Sequence, residues 1–289
     1  MGDEAVLALA ASCPRLEALR RVRLLVFLLV ADTLTLSTHF SLYWNLRVSD
    51  AALGALAASP CAATLSRLSL SGCKRVTDAG IAAVARRVAR LRQRGHAGVA
   101  ADAPLAARSL HGLRSLDLTR CPGVSDAGLR ALAASPAAAG LEELVLYADA
   151  QFGAEALAAV LAACGPRLRR LDLCGAAQLT DAALLALLPR GAASAALALQ
   201  TLNLTWCVQL GDAALARLLP ACPALRWLSL HGIAGVGAGT LGALEASPAA
   251  RDTLRALDVR GCAALPLPER APAALRKRLP ALRAFVLHS

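Results

Sequence analysis

The sequence predicts an α/β solenoid, a curved parallel sheet lined on its outer side by helices. Three observations carry that prediction. One phrase recurs along the chain, each copy opens on a Leu-x-Leu pair, and a Ser/Thr-Asp step then leads into an Ala/Leu run. From Leu116 the pair recurs at Leu144, Leu171, Leu202, Leu228, Leu257 and Phe285, in steps of 28, 27, 31, 26, 29 and 28 residues. An earlier copy begins at Leu68. A period that steady marks a repeat architecture.

Each part of the repeat has a physical reading. Leu116-Asp-Leu118 alternates with period two, so it predicts a short strand with one face buried. Cys121 follows, and Cys73, Cys207 and Cys262 hold the same slot, where a small, weakly polar side chain turns inward. Ser125-Asp126, Thr77-Asp78 and Thr180-Asp181 precede Ala/Leu runs and read as helix N-caps. Ser135-Pro136, Cys222-Pro223 and Ser247-Pro248 are expected to end helices, because proline cannot continue the hydrogen-bond ladder. One unit of this length cannot close a core alone, whereas stacked units can.

The pattern L-x-x-L-x-L-x-x-C, then V-T/S-D-A-G-L and a Cys-Pro helix end, resembles the cysteine-containing subtype of leucine-rich repeats. That subtype is typical of the substrate-binding part of F-box/LRR proteins. The resemblance covers the repeat region only; no F-box is read in the sequence. It implies one leucine-rich-repeat solenoid over residues 1–289, ribonuclease-inhibitor-like in architecture, with about eight or nine turns. Ribonuclease-inhibitor and GTPase-activator repeats themselves prefer Asn where this chain has Cys. The implied function is protein binding, as substrate recognition for an SCF-type (cullin) ubiquitin ligase in proteasomal degradation. Its partners would be a protein substrate and a cullin adaptor, the adaptor contact being borrowed if the chain is a repeat-only relative. The alternative, from a different class, is a structural scaffold in a cytoskeletal or ciliary assembly.

Two stretches break the period. Residues 21–45, RVRLLVFLLVADTLTLSTHFSLYWN, read as an inserted block without repeat features, and an unspliced intron is the favoured explanation. Deleting the surplus of about 21 residues there is expected to leave a better repeat protein. The second break is an Arg-rich insertion at 86–112, in which Arg86, Arg90 and Arg94 would share one helix face.

Composition narrows the function classes. Hydrophobic residues make up 57% and aromatics only 3%, so the core must be aliphatic. The net charge of +11 favours acidic partners. With no aromatics among the Arg86–Arg94 arginines, nucleic acid is disfavoured. Nine cysteines without a C-x-x-C, an acidic start, and an apolar run of only eight residues (Leu24–Ala31) predict a reduced, intracellular protein without a membrane partner. Cytoplasm or nucleus is the expected compartment, with cytoskeleton or axoneme under the scaffold reading.

No cofactor, metal or catalysis is expected. Gly237-Ala-Gly239-Thr-Leu-Gly242 spells a dinucleotide motif, but by register it only replaces the Ser-Asp cap. The slot cysteines fall one per turn and not all on consecutive turns, which rules out a tetrahedral site with bonds of about 2.3 Å. Cys174 is expected to be an exposed thiol. The five histidines share no recurring acid or nucleophile. The expected binding surface is therefore the concave sheet face, at Asp117, Tyr147, Asp172, Asn203, Trp206, Trp227, His231, Asp258 and Arg260. Tyr, Trp and Arg are the types enriched at binding hot spots.

Overall fold

Leucine alternation sets the strands. The computed structural model describes residues 3–4, 38–59, 65–86, 113–148, 151–188, 196–265 and 276–286. They fall into two units, Met1–Leu141 and Glu142–Ser289.

In the first unit, β1 (Thr38–Ser41), β2 (Leu65–Ser69) and β3 (Ser115–Asp117) are parallel neighbours in chain order. Phe40, Leu68 and Leu116 stand in register. Helix α1 (Asp50–Ala58) follows β1, residues 78–86 are helical after β2, and α2 (Asp126–Ala133) follows β3. Leu42, Leu70 and Leu118, with Val48, Val76 and Val124 at the helix entries, are all at most 2% exposed and form the core.

That unit corrects the view of residues 21–45 at its end. Thr38–Ser41 is a strand, Leu42 is buried, and Phe40 lies 28 residues before Leu68. Phe40 replaces the first leucine of the pair, and Asn45 takes the cysteine slot. The repeat is therefore intact from residue 38, and residues 21–37 lie outside the described residues. In the second break, β2 pairs directly with β3 although 48 residues separate Leu68 from Leu116. Arg86 is helical and exposed; residues 87–112, with Arg90 and Arg94, lie outside the described residues.

In the second unit, β4 (Glu143–Val145), β5 (Arg170–Asp172), β6 (Thr201–Asn203), β7 (Trp227–Ser229), β8 (Ala256–Asp258) and β9 (Ala284–Val286) are again parallel in chain order. Between them run α3 (Ala154–Cys164), α4 (Asp181–Leu185), α5 (Asp212–Leu218), α6 (Ala238–Ala246) and α7 (Pro248–Thr253). The paired leucines from Leu144 to Leu257 are buried to within 1%. Ser247-Pro248 does end α6, but it also starts α7. Ser247 caps the new helix and Pro248 enters its first turn, where a missing amide costs nothing.

The V-T/S-D-A-G-L phrase proves to be a staple between successive repeats. Asp50 accepts from the Thr77 amide at 2.8 Å, and Asp78 accepts from Ser125 N at 2.7 Å and Gly128 N at 2.8 Å. Asp3 meets Ser49 and Asp181 meets Gly211 in the same way. The glycine of the phrase follows from that approach, since a Cβ on Gly128 would lie 2.5 Å from Asp78 Oδ1. The slot cysteines make a second staple. Cys73, Cys121, Cys207 and Cys262 each donate Sγ–H, at 3.1 Å, to a buried carbonyl of another repeat: Leu42, Leu70, Leu173 and Leu230.

Candidate protein-binding face

With the leucines of each strand turned into the core, the residues between them line the opposite face. In the first unit this face holds Asp117 on β3. Its carboxylate accepts from Ser69 Oγ and from the Thr119 amide, both at 2.9 Å. The remaining predicted residues all lie in the second unit.

There the polar row is knitted together rather than free. Asp172 accepts from the Cys174 amide at 3.0 Å and from Asn203 Nδ2 at 3.0 Å. Asn203 in turn accepts from Thr205 Oγ1 at 2.7 Å, and Thr205 shares a hydrogen bond of 2.7 Å with the buried Ser229 hydroxyl. Arg260 donates to both carboxylate oxygens of Asp258, with Nη2 at 2.8 Å from Oδ2. Burial alone would raise the Asp258 carboxyl, but bonds from Arg260 and the charges of Arg260 and His231 hold it below its usual value. Thr205 and Ser229 extend this network and were not singled out by sequence, because strand register alone does not fix which side chains reach across.

Three rings on or beside the face are exposed. Trp206 is 55% exposed, Trp227 37% and Tyr147 36%. Trp206 sits at the strand exit with φ +60°, a slot that Gly175, Gly232 and Gly261 fill in other repeats of the unit. A large non-glycine residue there is uncommon and costs on the order of 1 kcal/mol. Its indole lies against Gly232, where a Cβ would come within 2.6 Å, and its centroid is 5.1 Å from that of the His231 ring, the planes tilted by 44°. Trp227 opens β7, whereas His231 lies in the turn beyond the strand's end. The structure thus brings Asp172 together with Asn203, Trp206 with His231, and Asp258 with Arg260. Trp227 stands apart from these pairs.

The first unit carries a related device that the sequence reading missed. Trp44 holds the same turn slot at φ +53° and lies against Gly72, with Arg120 6.0 Å from its ring. Tyr43, Trp44 and Leu46 are 66%, 44% and 51% exposed. The offset of eight residues from Phe40 to Val48 equals that from Leu116 to Val124, and could have revealed them.

Other candidates resolve differently. Cys174 is buried, at 8% exposure, which corrects the exposed thiol expected there. Its chain is held on both sides, the carbonyl by the Ala148 amide and the N–H by Asp172. Burial pushes its thiol, like those of Cys73 and Cys262, up to about 11, and those of Cys207 and Cys222 up to about 12. The amides of the glycine-rich motif are already occupied. Gly237 N, Gly239 N and Thr240 N all donate to Asp212, which fills the place an anion would take. Among the described residues no group of three His, Cys, Asp or Glu is placed to hold a metal, and no helix is long and apolar enough to cross a membrane.

Comparison with known families matches residues 129–241 to the profile "FBD-associated F-box protein At5g56370, LRR repeats". Residues 62–85 and 110–133 match the profile "Leucine Rich repeat". No curated protein matches the chain. Among solved structures, a chain from the crystal structure of the Rad7 and Elc1 complex in yeast is similar, with a TM-score of 0.49 and 17% identity. That match covers 86% of this chain and 69% of the other.

Proposed function

We propose that this chain, which belongs to the leucine-rich-repeat proteins, binds protein substrates on its strand face for a cullin-type ubiquitin ligase, in the cytoplasm or nucleus. The observation that carries the binding role is the split between core and rings. In a protein with 3% aromatics, whose paired strand leucines from Leu144 to Leu257 are buried to within 1%, Trp206, Trp227 and Tyr147 are left more than one-third exposed on or beside one face. Packing does not require them there, and exposed rings beside a rigid polar row suit a hot spot. The ligase assignment is supported by the F-box-associated profile, whose span includes Tyr147, Asp172, Asn203, Trp206, Trp227 and His231.

The test is co-purification of the tagged chain from cells with a cullin and its adaptor, followed by depletion of the chain. Proteins captured through the strand face should accumulate on depletion, and their ubiquitylation should fall. Capture of proteins that are neither ubiquitylated nor stabilised on depletion, without a cullin, would contradict the ligase role and favour a scaffold.

A further inference from the structure

The residue that follows the first leucine of each repeat forms a column across the second unit: Glu142, Arg169, Gln200, Arg226, Arg255 and Arg283. Its continuity is fixed by the backbone. The Arg255 amide donates to the Arg226 carbonyl at 2.7 Å, and the Arg283 amide to the Arg255 carbonyl at 2.8 Å. The column changes character along the sheet. At its start Arg169 faces Glu142 at 4.0 Å, and in the adjoining column Arg170 faces Glu143 at 3.4 Å, so β4 and β5 neutralise themselves. Arg226, Arg255 and Arg283 are exposed, and none pairs with a described carboxylate. The adjoining column beside these three reads Trp227, Ala256 and Ala284, one exposed ring followed by two small side chains.

Three guanidinium groups rooted about 4.8 Å apart between neighbouring strands, and about 10 Å from first to last, span no more than about one Debye length, so their potentials add. We propose that this edge of the face, entering β7 to β9, takes an acidic polypeptide segment. Its carboxylates pair with Arg226, Arg255 and Arg283, and a neighbouring apolar side chain rests on Trp227 and the alanines. Guanidinium groups pair carboxylates through two parallel hydrogen bonds and lose little hydration in doing so. A polypeptide fits better than a nucleic acid, because Asp258 lies on the same face three residues after Arg255, and Glu143 and Asp172 line that face on β4 and β5. A phosphate backbone, charged at every unit, would meet both signs, whereas a polypeptide can place acids opposite the arginines and neutral residues elsewhere.

The inference rests on the strand face being the partner surface, and names the chemistry of that partner. The probe is a fluorescein-labelled peptide of glutamates around one leucine, titrated against the purified full chain and followed by anisotropy. A glutamine-for-glutamate peptide and a uridine oligomer serve as competitors. Wild type should bind the acidic peptide, with affinity falling as salt rises. Arg226→Glu/Arg255→Glu should weaken it at least about tenfold with an unchanged melt, while Arg169→Glu should leave it nearly intact. No binding by wild type, equal loss with Arg169→Glu, or displacement by the uridine oligomer in preference to peptide would overturn the inference. Because no ligase component is present, a chain that binds the peptide but recovers no cullin keeps this inference and loses the ligase role. A chain that recovers a cullin but ignores the peptide does the reverse.

Discussion

Aspartate does opposite work on the two edges of these repeats. At the helix edge, Asp212 accepts from Gly237 N, Gly239 N, Thr240 N and Thr240 Oγ1, all within 2.9 Å, and so ties α5 to the start of α6. On the strand face, Asp172 and Asp258 accept from neighbours at the surface and fix the floor on which rings and arginines are displayed. Position within the repeat, not residue type, decides which role applies. One edge holds successive repeats together; the other varies from repeat to repeat, reading Asp117, Val145, Asp172, Asn203 and Ser229 between its paired leucines.

Substitutions can break that division. The largest stability loss is expected for Asp212→Ala, which orphans three amides and a hydroxyl at once. A loss of about 2–3 kcal/mol should appear in a denaturant melt, since unmet donors cost on the order of 1–3 kcal/mol and a lost cap about 1. The same carboxyl has a pH signature. Burial would raise it, but its bonds from Thr240, Gly237 and Gly239 hold it below its usual value. Its contribution is therefore complete above the unfolded-state pKa and is lost as pH falls through the folded one. Asp212→Asn should flatten the melting temperature over that acidic window; an unaltered pH dependence would contradict the staple.

Gly128→Ala comes next, at about 1–3 kcal/mol, because the added Cβ meets Asp78 Oδ1 and the Val124 side chain. Thermal melting checks it, and Asp78→Ala should abolish most of the glycine's effect in a double-mutant cycle. The smallest effect concerns the thiols. Cys73, Cys121, Cys164, Cys174, Cys207, Cys222 and Cys262 are all free and buried. Alkylation at neutral pH, read by mass spectrometry, should leave these seven unlabelled until the chain unfolds. Rapid labelling of Cys174 would restore the exposed thiol that its strand position suggested.

What was legible in the sequence follows the same division. The leucine pairs, the Ser/Thr caps and the inward cysteines obey local rules wherever those residues occur, so Leu116, Ser125 and Cys121 sit where the period puts them. The glycine-rich motif was set aside by register, and in the structure its Gly237, Gly239 and Thr240 amides donate to Asp212, a partner that register did not reveal. Phe40-Ser41-Leu42 escaped because Phe for Leu and Asn45 for Cys hide the repeat behind an apolar run. Partnerships such as Asp172 with Asn203, or Trp206 on Gly232, depend on rotamers chosen across neighbouring strands, and a linear period carries no information about those. The Arg226, Arg255 and Arg283 column was open to view as Leu-Arg-x-Leu or Leu-Arg-x-Phe. Its meaning needed the pairing of Arg169 and Arg170, against three arginines that pair with no carboxylate among the described residues.

The central claim is that the strand face serves binding while the helix edge and core serve stability. The most direct test measures both quantities on the same variants, Trp206→Ala and Trp227→Ala, using a partner captured by the chain. Each melt should stay within about 0.5 kcal/mol of wild type, as for ordinary surface changes. Partner affinity should fall by about 2 kcal/mol or more for at least one of the two, the scale of a hot spot. Melts that drop while affinity holds would contradict the account, placing these rings in the packing of the protein and its binding surface elsewhere.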